Sequence, residues 1–206
     1  MDAALRFTAA RGGATKRILP AWPPVHVIAA LQEDLRQLDA DMRRTAGRVL
    51  SAYLWRGFLT ERYAKLANTR LHEDYTGLRA YIRAMASARR RGDAEPPLDD
   101  ISIFDEGEYP LPDTRELTRA GWIGTASRLG RAIAAVAMQG SPLDWVTGKR
   151  LDPDRVRSLE DDRKLERRHV FPPAKFESDL GDKLRLGLNG VLLSRAVWPP
   201  STPRTC

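Results

Sequence analysis

Residues 41–58 read DMRRTAGRVLSAYLWRGF and carry the pattern that decides the fold. Their apolar residues recur at steps of one, three and four positions: Val49, Leu50, Tyr53, Leu54 and Phe58. That spacing places them on one face of an α-helix, because an α-helix turns once every 3.6 residues. We therefore predict a helix over 41–58 whose apolar face packs into a core.

The same period continues on both sides of this stretch. Before it the apolar residues are Val27, Ile28, Leu31, Leu35 and Leu38, and after it they are Leu78, Tyr81, Ile82 and Met85. We predict one helix over the first group and another over 72–91, with Thr60 capping the short segment that follows 41–58. A further helix is predicted to open at Thr125, to run through Leu129, Ile133, Val136 and Met138, and to end at Gly140.

These segments predict a mainly α fold with a small α+β part. Residues 1–20 contain Gly12-Gly13 and Pro20 and are predicted to form an irregular lead-in. A helical domain is expected over 21–142, with an acidic, proline-bearing loop over 93–112. A different module is expected over 143–197, and the proline-rich residues 198–206 are predicted to be a disordered tail.

The composition limits the classes of protein to be considered. The chain has 206 residues and a net charge of +7, and no apolar run approaches the ~20 residues that a membrane span requires. Residues 1–20 lack the apolar core of a secretory signal, and the lone thiol of Cys206 cannot form an internal disulfide, so a cytoplasmic location is expected. The excess of arginine over lysine fits either a GC-rich genome or contact with nucleic-acid phosphates.

Two short blocks in the C-terminal part could carry chemistry. RRHVFP covers 167–172 and NGVLLS covers 189–194, and each block is predicted to contain a short strand. A histidine at the end of a strand can take a proton from water, so that the water attacks phosphorus. An amide such as that of Asn189 can orient this histidine through its second ring nitrogen. The blocks therefore indicate hydrolysis of a phosphodiester.

These blocks resemble the first two elements of an HNH (ββα-metal) nuclease, in the variant found at the C-terminus of GmrSD-type modification-dependent restriction endonucleases. The resemblance covers roughly residues 12–197. Upstream it rests on WRGFLTERY (55–63), TRLHEDY (69–75) and DWVTGKRL (144–151), which are similar to the helical region that precedes the nuclease in that family. The resemblance implies a helical bundle followed by a ββα-metal module that cleaves DNA with Mg²⁺ or Mn²⁺.

The resemblance also implies roles for individual residues. His169 takes the place of the general base, and Asn189 that of the residue that orients it. The position before the base is normally a metal ligand, but here it is Arg168, which has no free lone pair. Glu166 could replace that ligand only if the strand were bulged.

Basic residues beside this predicted site are expected to contact nucleic-acid phosphates. They are Arg167, Arg168 and Lys175.

A second departure from the family follows the asparagine block. The family has a helix there with another metal-binding or phosphate-binding residue, whereas this chain runs from Arg195 into Pro199-Pro200. A residue before proline is disfavoured in the α region, so about one helical turn at most could form. The module is therefore expected to be truncated and its cleavage impaired or lost.

Two alternatives to an endonuclease remain open. The chain could be a non-catalytic helical module that binds nucleic acid or a partner subunit, or the remnant of a broken nuclease gene. The family resemblance also implies a separate subunit that supplies an N-terminal nucleotide-dependent domain.

Other histidines, arginines, tryptophans and carboxylates have structural explanations that need no ligand. His26 and His72 are expected on helix surfaces, and Arg89-Arg90-Arg91 are expected at a solvated helix end, with phosphate contact as the alternative. The remaining groups are the tryptophans Trp55, Trp122 and Trp145, expected in the core, and the loop carboxylates Asp99, Asp100, Asp105, Glu106 and Glu108, expected in solvent.

Overall fold

The computed structural model describes residues 1–14, 19–120, 127–140, 143 and 148–150, together with the backbone of 165–169 and 190–194. The described part is mainly helical, as the sequence predicted. The chain divides into two compact units, one of residues 1–12 with 21–113 and the other of residues 13–20 with 114–206. The domain boundary predicted after residue 142 stays a prediction.

The elements follow one another along the chain. In the first unit they are α1 (Asp2–Gly12), α2 (Pro23–Ala30), α3 (Gln32–Arg36), α4 (Ala40–Leu59), α5 (Ala67–Arg91) and a 3-10 turn at Ser102–Phe104. In the second unit they are α6 (Thr114–Arg119), α7 (Arg128–Gln139), β1 (Leu165–His169) and β2 (Gly190–Ser194). None of the described helices is both long and apolar enough to cross a membrane.

Helix α4 confirms the helix predicted over 41–58. Asp39 caps its N-terminus, since Oδ1 accepts hydrogen bonds from the backbone N–H groups of Asp41 at 2.9 Å and Met42 at 2.8 Å. The five predicted apolar residues, Val49, Leu50, Tyr53, Leu54 and Phe58, are all buried. Thr60 does not cap the following segment: its hydroxyl donates to the Arg56 carbonyl at 2.7 Å at the end of α4.

The lead-in predicted over 1–20 is wrong for residues 2–12, which form α1. The buried residues of α1 are Ala4, Thr8 and Gly12, and the helix lies against α2 and α4. Such small side chains produce almost no hydrophobic periodicity, so the sequence pattern missed the helix. Gly13 then follows with φ of +60°, a conformation that favours glycine.

The single helix predicted from Val27 to Leu38 is broken in two. Helix α2 ends at Ala30 and α3 begins at Gln32, with the fully buried Leu31 between them. Pro23 begins α2, where proline is tolerated because the first N–H groups of a helix have no intrahelical partner. Helix α2 contacts α1, α4 and α5, and so forms the centre of the unit.

Helix α5 has the buried face that the sequence predicted, with Leu78, Tyr81, Ile82 and Met85 in the core. It begins at Ala67 rather than at residue 72, and it ends before Gly92. The segment after it is mainly irregular, as predicted, apart from the 3-10 turn whose Ile103 is fully buried.

In the second unit, α7 begins at Arg128 and is capped by Ser127, whose hydroxyl accepts from the Gly130 N–H at 3.2 Å. The predicted start at Thr125 lies outside the described residues. Met138 is buried but Val136 is exposed, because the buried face of α7 is formed mainly by alanines. The backbone of Gly13 lies so close to α7 that an added Cβ would be 2.2 Å from the Ala135 oxygen.

Two glycines of α4 give a matched test of the packing between α2 and α4. A Cβ added at Gly57 would lie 2.4 Å from Cγ of Pro24, whereas one at Gly47 would meet nothing within 4 Å. We expect Gly57→Ala to lower the free energy of unfolding by about 1–3 kcal/mol. Gly47→Ala should raise it by about 0.5–1 kcal/mol, because alanine loses less backbone entropy in a helix. Urea unfolding followed by circular dichroism measures both, and equal effects of the two changes would contradict the described packing.

Candidate functional site

The backbone of β1 and β2 forms an antiparallel pair. His169, the last residue of β1, is paired with Gly190, the first residue of β2. Asn189 directly precedes Gly190 in the chain but lies outside the described residues, as does Lys175. The register therefore brings His169, the end of the strand in the histidine block, to the beginning of the strand in the asparagine block.

The register also bears on the predicted metal ligands. Glu166, Arg167 and Arg168 pair one-to-one with Leu193, Leu192 and Val191. The bulge that Glu166 would need in order to replace the lost ligand is absent from these paired residues. Arg168 offers no lone pair to a cation, so this residue cannot be the ligand expected at the position before the base.

The rest of the described chain does not supply a metal centre either. Among the described residues, no three histidine, cysteine, aspartate or glutamate side chains are grouped so that they could hold a metal ion.

A buried ion pair lies in the first unit, that of residues 1–12 and 21–113. Arg62 Nη2 is 2.7 Å from Asp74 Oδ1, and the two side chains are 0% and 1% exposed. The same nitrogen is 2.9 Å from Glu73 Oε2, and the Arg62 guanidinium lies 4.7 Å from the centre of the Tyr109 ring. Arg62 Nη1 is buried without a hydrogen-bond partner among the described residues. The pair is therefore almost, but not completely, satisfied by its surroundings.

Two tyrosines extend this ion pair into a network. The Tyr63 hydroxyl donates to Asp74 Oδ2, and the hydroxyls of Tyr53 and Tyr63 are 2.6 Å apart. Burial raises the pKa of both tyrosine hydroxyls, and the nearby negative charge of Asp74 raises them further. The hydroxyls thus stay protonated, which keeps the Tyr63 hydroxyl a donor to the carboxylate.

The pKa values of the two ion-pair partners are governed by opposing effects. Burial raises the pKa of Asp74, and the hydrogen bonds from Arg62 and Tyr63 only partly offset this rise. Burial lowers the pKa of Arg62, but the hydrogen bond and charge of Asp74 outweigh it, so that the net shift is upward. The ion pair itself is defined by its geometry, a 2.7 Å contact between two fully buried groups.

This network joins two of the segments that carry the family resemblance. Arg62 and Tyr63 end the stretch 55–63, and Asp74 belongs to the stretch 69–75. Sequence reasoning did not find the contact, although one signal was present. Asp74 precedes the buried Leu78 by four positions and so shares the apolar face of α5, where a carboxylate needs a partner.

Arg56 of the first segment ties the loop after α5 to α4. Its Nε donates to the Ile103 carbonyl at 2.5 Å and its Nη2 to the Tyr109 carbonyl at 2.7 Å. Arg56 Nη1 also lies 3.5 Å from Glu106 Oε1. The contacts of the buried Arg56 have a structural function, since two of its partners are backbone carbonyls and the third is an exposed carboxylate.

The histidines, arginines and one tryptophan that the sequence assigned structural roles lie in the described part of the chain. His26 and His72 are exposed, as expected. Trp55 is half-buried, and its indole N–H donates to the Arg11 carbonyl at 3.2 Å. Arg89, Arg90 and Arg91 are exposed in the last turn of α5, also as expected, and two of them form ion pairs, Arg89 with Asp41 and Arg91 with Asp93. Trp122 and Trp145 lie outside the described residues.

The loop carboxylates are exposed, and three of them have local partners. Asp105 Oδ1 accepts from the N–H groups of Gly107 at 2.8 Å and Glu108 at 3.2 Å. Glu106 pairs with Arg56, and Glu108 lies 3.6 Å from Arg70. These contacts stabilise the loop and its attachment to the helices.

No protein-family model, no curated protein and no solved structure matches the chain.

Proposed function

We propose that the chain carries an HNH-type endonuclease module that hydrolyses DNA phosphodiester bonds, in a form whose metal site is impaired. The pairing of His169 with Gly190 supports this proposal, because Gly190 directly follows Asn189. A base and the amide that orients it must lie within hydrogen-bond reach of each other. The pairing brings the end of β1 next to the beginning of β2, the strand that Asn189 directly precedes in the chain.

The proposed chemistry uses two side chains. The neutral imidazole of His169 accepts a proton from water while the water oxygen forms a bond to phosphorus. The bond from phosphorus to the leaving sugar oxygen breaks, and that oxygen takes up a proton from solvent water, while the protonated His169 returns its own proton to solvent. The Asn189 side-chain oxygen accepts a hydrogen bond from the other ring nitrogen and so holds the imidazole in the reactive tautomer.

Arg168 explains why the proposed activity is impaired. A guanidinium at the position of a metal ligand carries a positive charge and has no lone pair. Mg²⁺ or Mn²⁺ is the proposed cofactor, and Arg168 would repel either ion. We therefore expect slow cleavage at high metal concentration rather than efficient turnover.

Plasmid nicking tests the proposed base. We expect the full chain to nick supercoiled DNA slowly in Mn²⁺ and to lose about 10²-fold or more of that rate in His169→Ala, since general bases contribute factors of this size. His72→Ala is the matched control, because His72 is an exposed histidine on α5. Metal-dependent nicking that His169→Ala leaves unchanged would contradict the assignment of His169.

A further inference from the structure

The first unit, which does not contain β1 and β2, has a cavity of about 350 Å³ lined by arginines from three helices. Arg11 comes from the last turn of α1, Arg44 and Arg48 come from α4, and Arg89 comes from the last turn of α5. Asp41 and Glu95 also line it, so four arginines and two carboxylates leave an excess of two positive charges. Thr45 lines it as well, and we call these seven residues the arginine cavity.

The arginine cavity holds its guanidinium groups in defined positions. Asp41 Oδ1 accepts from Arg44 Nη2 at 2.7 Å, while its other oxygen accepts from Arg89. These contacts lower the pKa of Asp41, with the hydrogen bond from Arg44 as the largest cause. The indole of Trp55 in turn fixes the end of α1 by donating to the Arg11 carbonyl. One carboxylate thus orients two arginines, and their combined charge still exceeds its own.

Arg48 adds a charge that no carboxylate balances. Its Nη2 donates to the neutral Thr45 hydroxyl at 3.2 Å, and within the described part of the chain it forms no ion pair. A helix dipole explains cations in the last turn of a helix, as at Arg89. It does not explain Arg44 and Arg48, which lie in the N-terminal half of α4. Within the described part of the chain, neither an ion pair nor a helix dipole accounts for the charge of Arg48.

We propose that the arginine cavity binds the phosphate backbone of DNA without reading its sequence. The cavity is open to large ligands, because the side chains of Arg44 and Arg89 are 76% and 52% exposed. Arg44 and Arg48 are separated by about 6 Å along the helix axis, and one DNA strand carries a phosphate every ~3.4 Å of its own axis. A single backbone can thus contact both guanidinium groups.

The lining also indicates which part of DNA is bound. None of the residues that line the arginine cavity is aromatic, so it offers no platform on which a base could stack. Guanidinium groups that contact only phosphates fix the position of DNA but carry no sequence information. The affinity should therefore depend strongly on salt and little on sequence. The choice of DNA as the partner rests on the proposed function, whereas phosphate binding at the arginine cavity does not depend on hydrolysis at His169.

Fluorescence anisotropy with a labelled DNA duplex tests the proposal on the full chain, in EDTA so that no metal-dependent cleavage occurs. The variant is Arg44→Gln/Arg48→Gln. The control is Arg6→Gln/Arg36→Gln, which removes the same charge from two exposed arginines of the same unit outside the arginine cavity. We expect the variant to bind the duplex about 10-fold more weakly than the unchanged chain. The slope of log affinity against log salt concentration should become shallower by about 1–2, with little change of either quantity in the control. Two duplexes of unrelated sequence should bind alike.

Three results would overturn the proposal. Equal weakening of DNA binding in the variant and in the control would show a general effect of net charge. An unchanged salt dependence of DNA affinity in the folded variant would show that Arg44 and Arg48 do not contact DNA. Displacement of the duplex by inorganic phosphate beyond that caused by chloride of equal ionic strength would show a small-anion site. Circular dichroism confirms that both double variants are folded. Plasmid nicking by the His169 variants is a separate measurement, so failure of one proposal is distinguishable from failure of the other.

Discussion

Replacing Asp74 by asparagine will lower the free energy of unfolding of the first unit by about 3–5 kcal/mol. This is the range found when a buried ion pair is broken by removing one partner. Arg62 would keep its full charge at 0% exposure and would lose the carboxylate that lies 2.7 Å away. Tyr63 would also lose the charged acceptor of its hydroxyl. The stability of a small domain is itself only about 5–15 kcal/mol, so a loss of this size removes a large part of it.

Urea unfolding of Asp74→Asn and of Asp93→Asn measures this effect against a matched control. Asp93 pairs with Arg91, and both side chains are more than half exposed. Exposed pairs contribute about 0–1 kcal/mol, so Asp93→Asn should hardly change the stability. A loss of less than about 1 kcal/mol in Asp74→Asn would contradict the buried ion pair described for the core.

A metal ligand supplied at residue 168 should give the largest gain in the proposed endonuclease activity. Arg168→His removes a positive charge from the position before the base and supplies a ring nitrogen that can bind Mn²⁺ or Mg²⁺. We expect metal-dependent nicking to rise about 10-fold to 100-fold, the range over which changes around a metal site alter affinity or activity. The rise should be accompanied by half-maximal activity at a lower metal concentration.

Arg168→Gln separates the two effects of that change. Glutamine removes the charge but is a poor ligand, so it should recover only the part of the activity that repulsion had suppressed. Equal gains in Arg168→Gln and Arg168→His would show that repulsion alone accounts for the impairment. A decrease in both variants would contradict the assignment of residue 168 to the position of a ligand.

The helices that were predictable from the sequence have strong local signals. Helix α4 combines an aspartate cap with large apolar side chains at helical spacing, and α5 ends at Gly92. Helix α1 was missed because its buried face consists of small residues such as Ala4 and Thr8. The break at Leu31 was also missed, since a buried leucine fits the apolar pattern whether or not the helix continues past it.

The candidate sites also differ in how much of each can be predicted from the sequence. The motif led to His169 and Asn189, but pattern alone does not give the register that pairs His169 with Gly190. The network around Asp74 was missed because only apolar residues were assigned to the buried face of α5. Of the run Arg89-Arg90-Arg91, Arg89 lines the arginine cavity, but the other arginines of the cavity come from α1 and α4, and only the tertiary fold brings them together.

The most direct test of the endonuclease proposal is a Mn²⁺ titration of plasmid nicking by Arg168→His, with and without His169→Ala. The account predicts metal-dependent nicking by Arg168→His that exceeds that of the unchanged chain and that falls by about 10²-fold or more when His169 is also replaced. A folded Arg168→His protein that shows no metal-dependent nicking, or whose nicking persists without His169, would contradict the account.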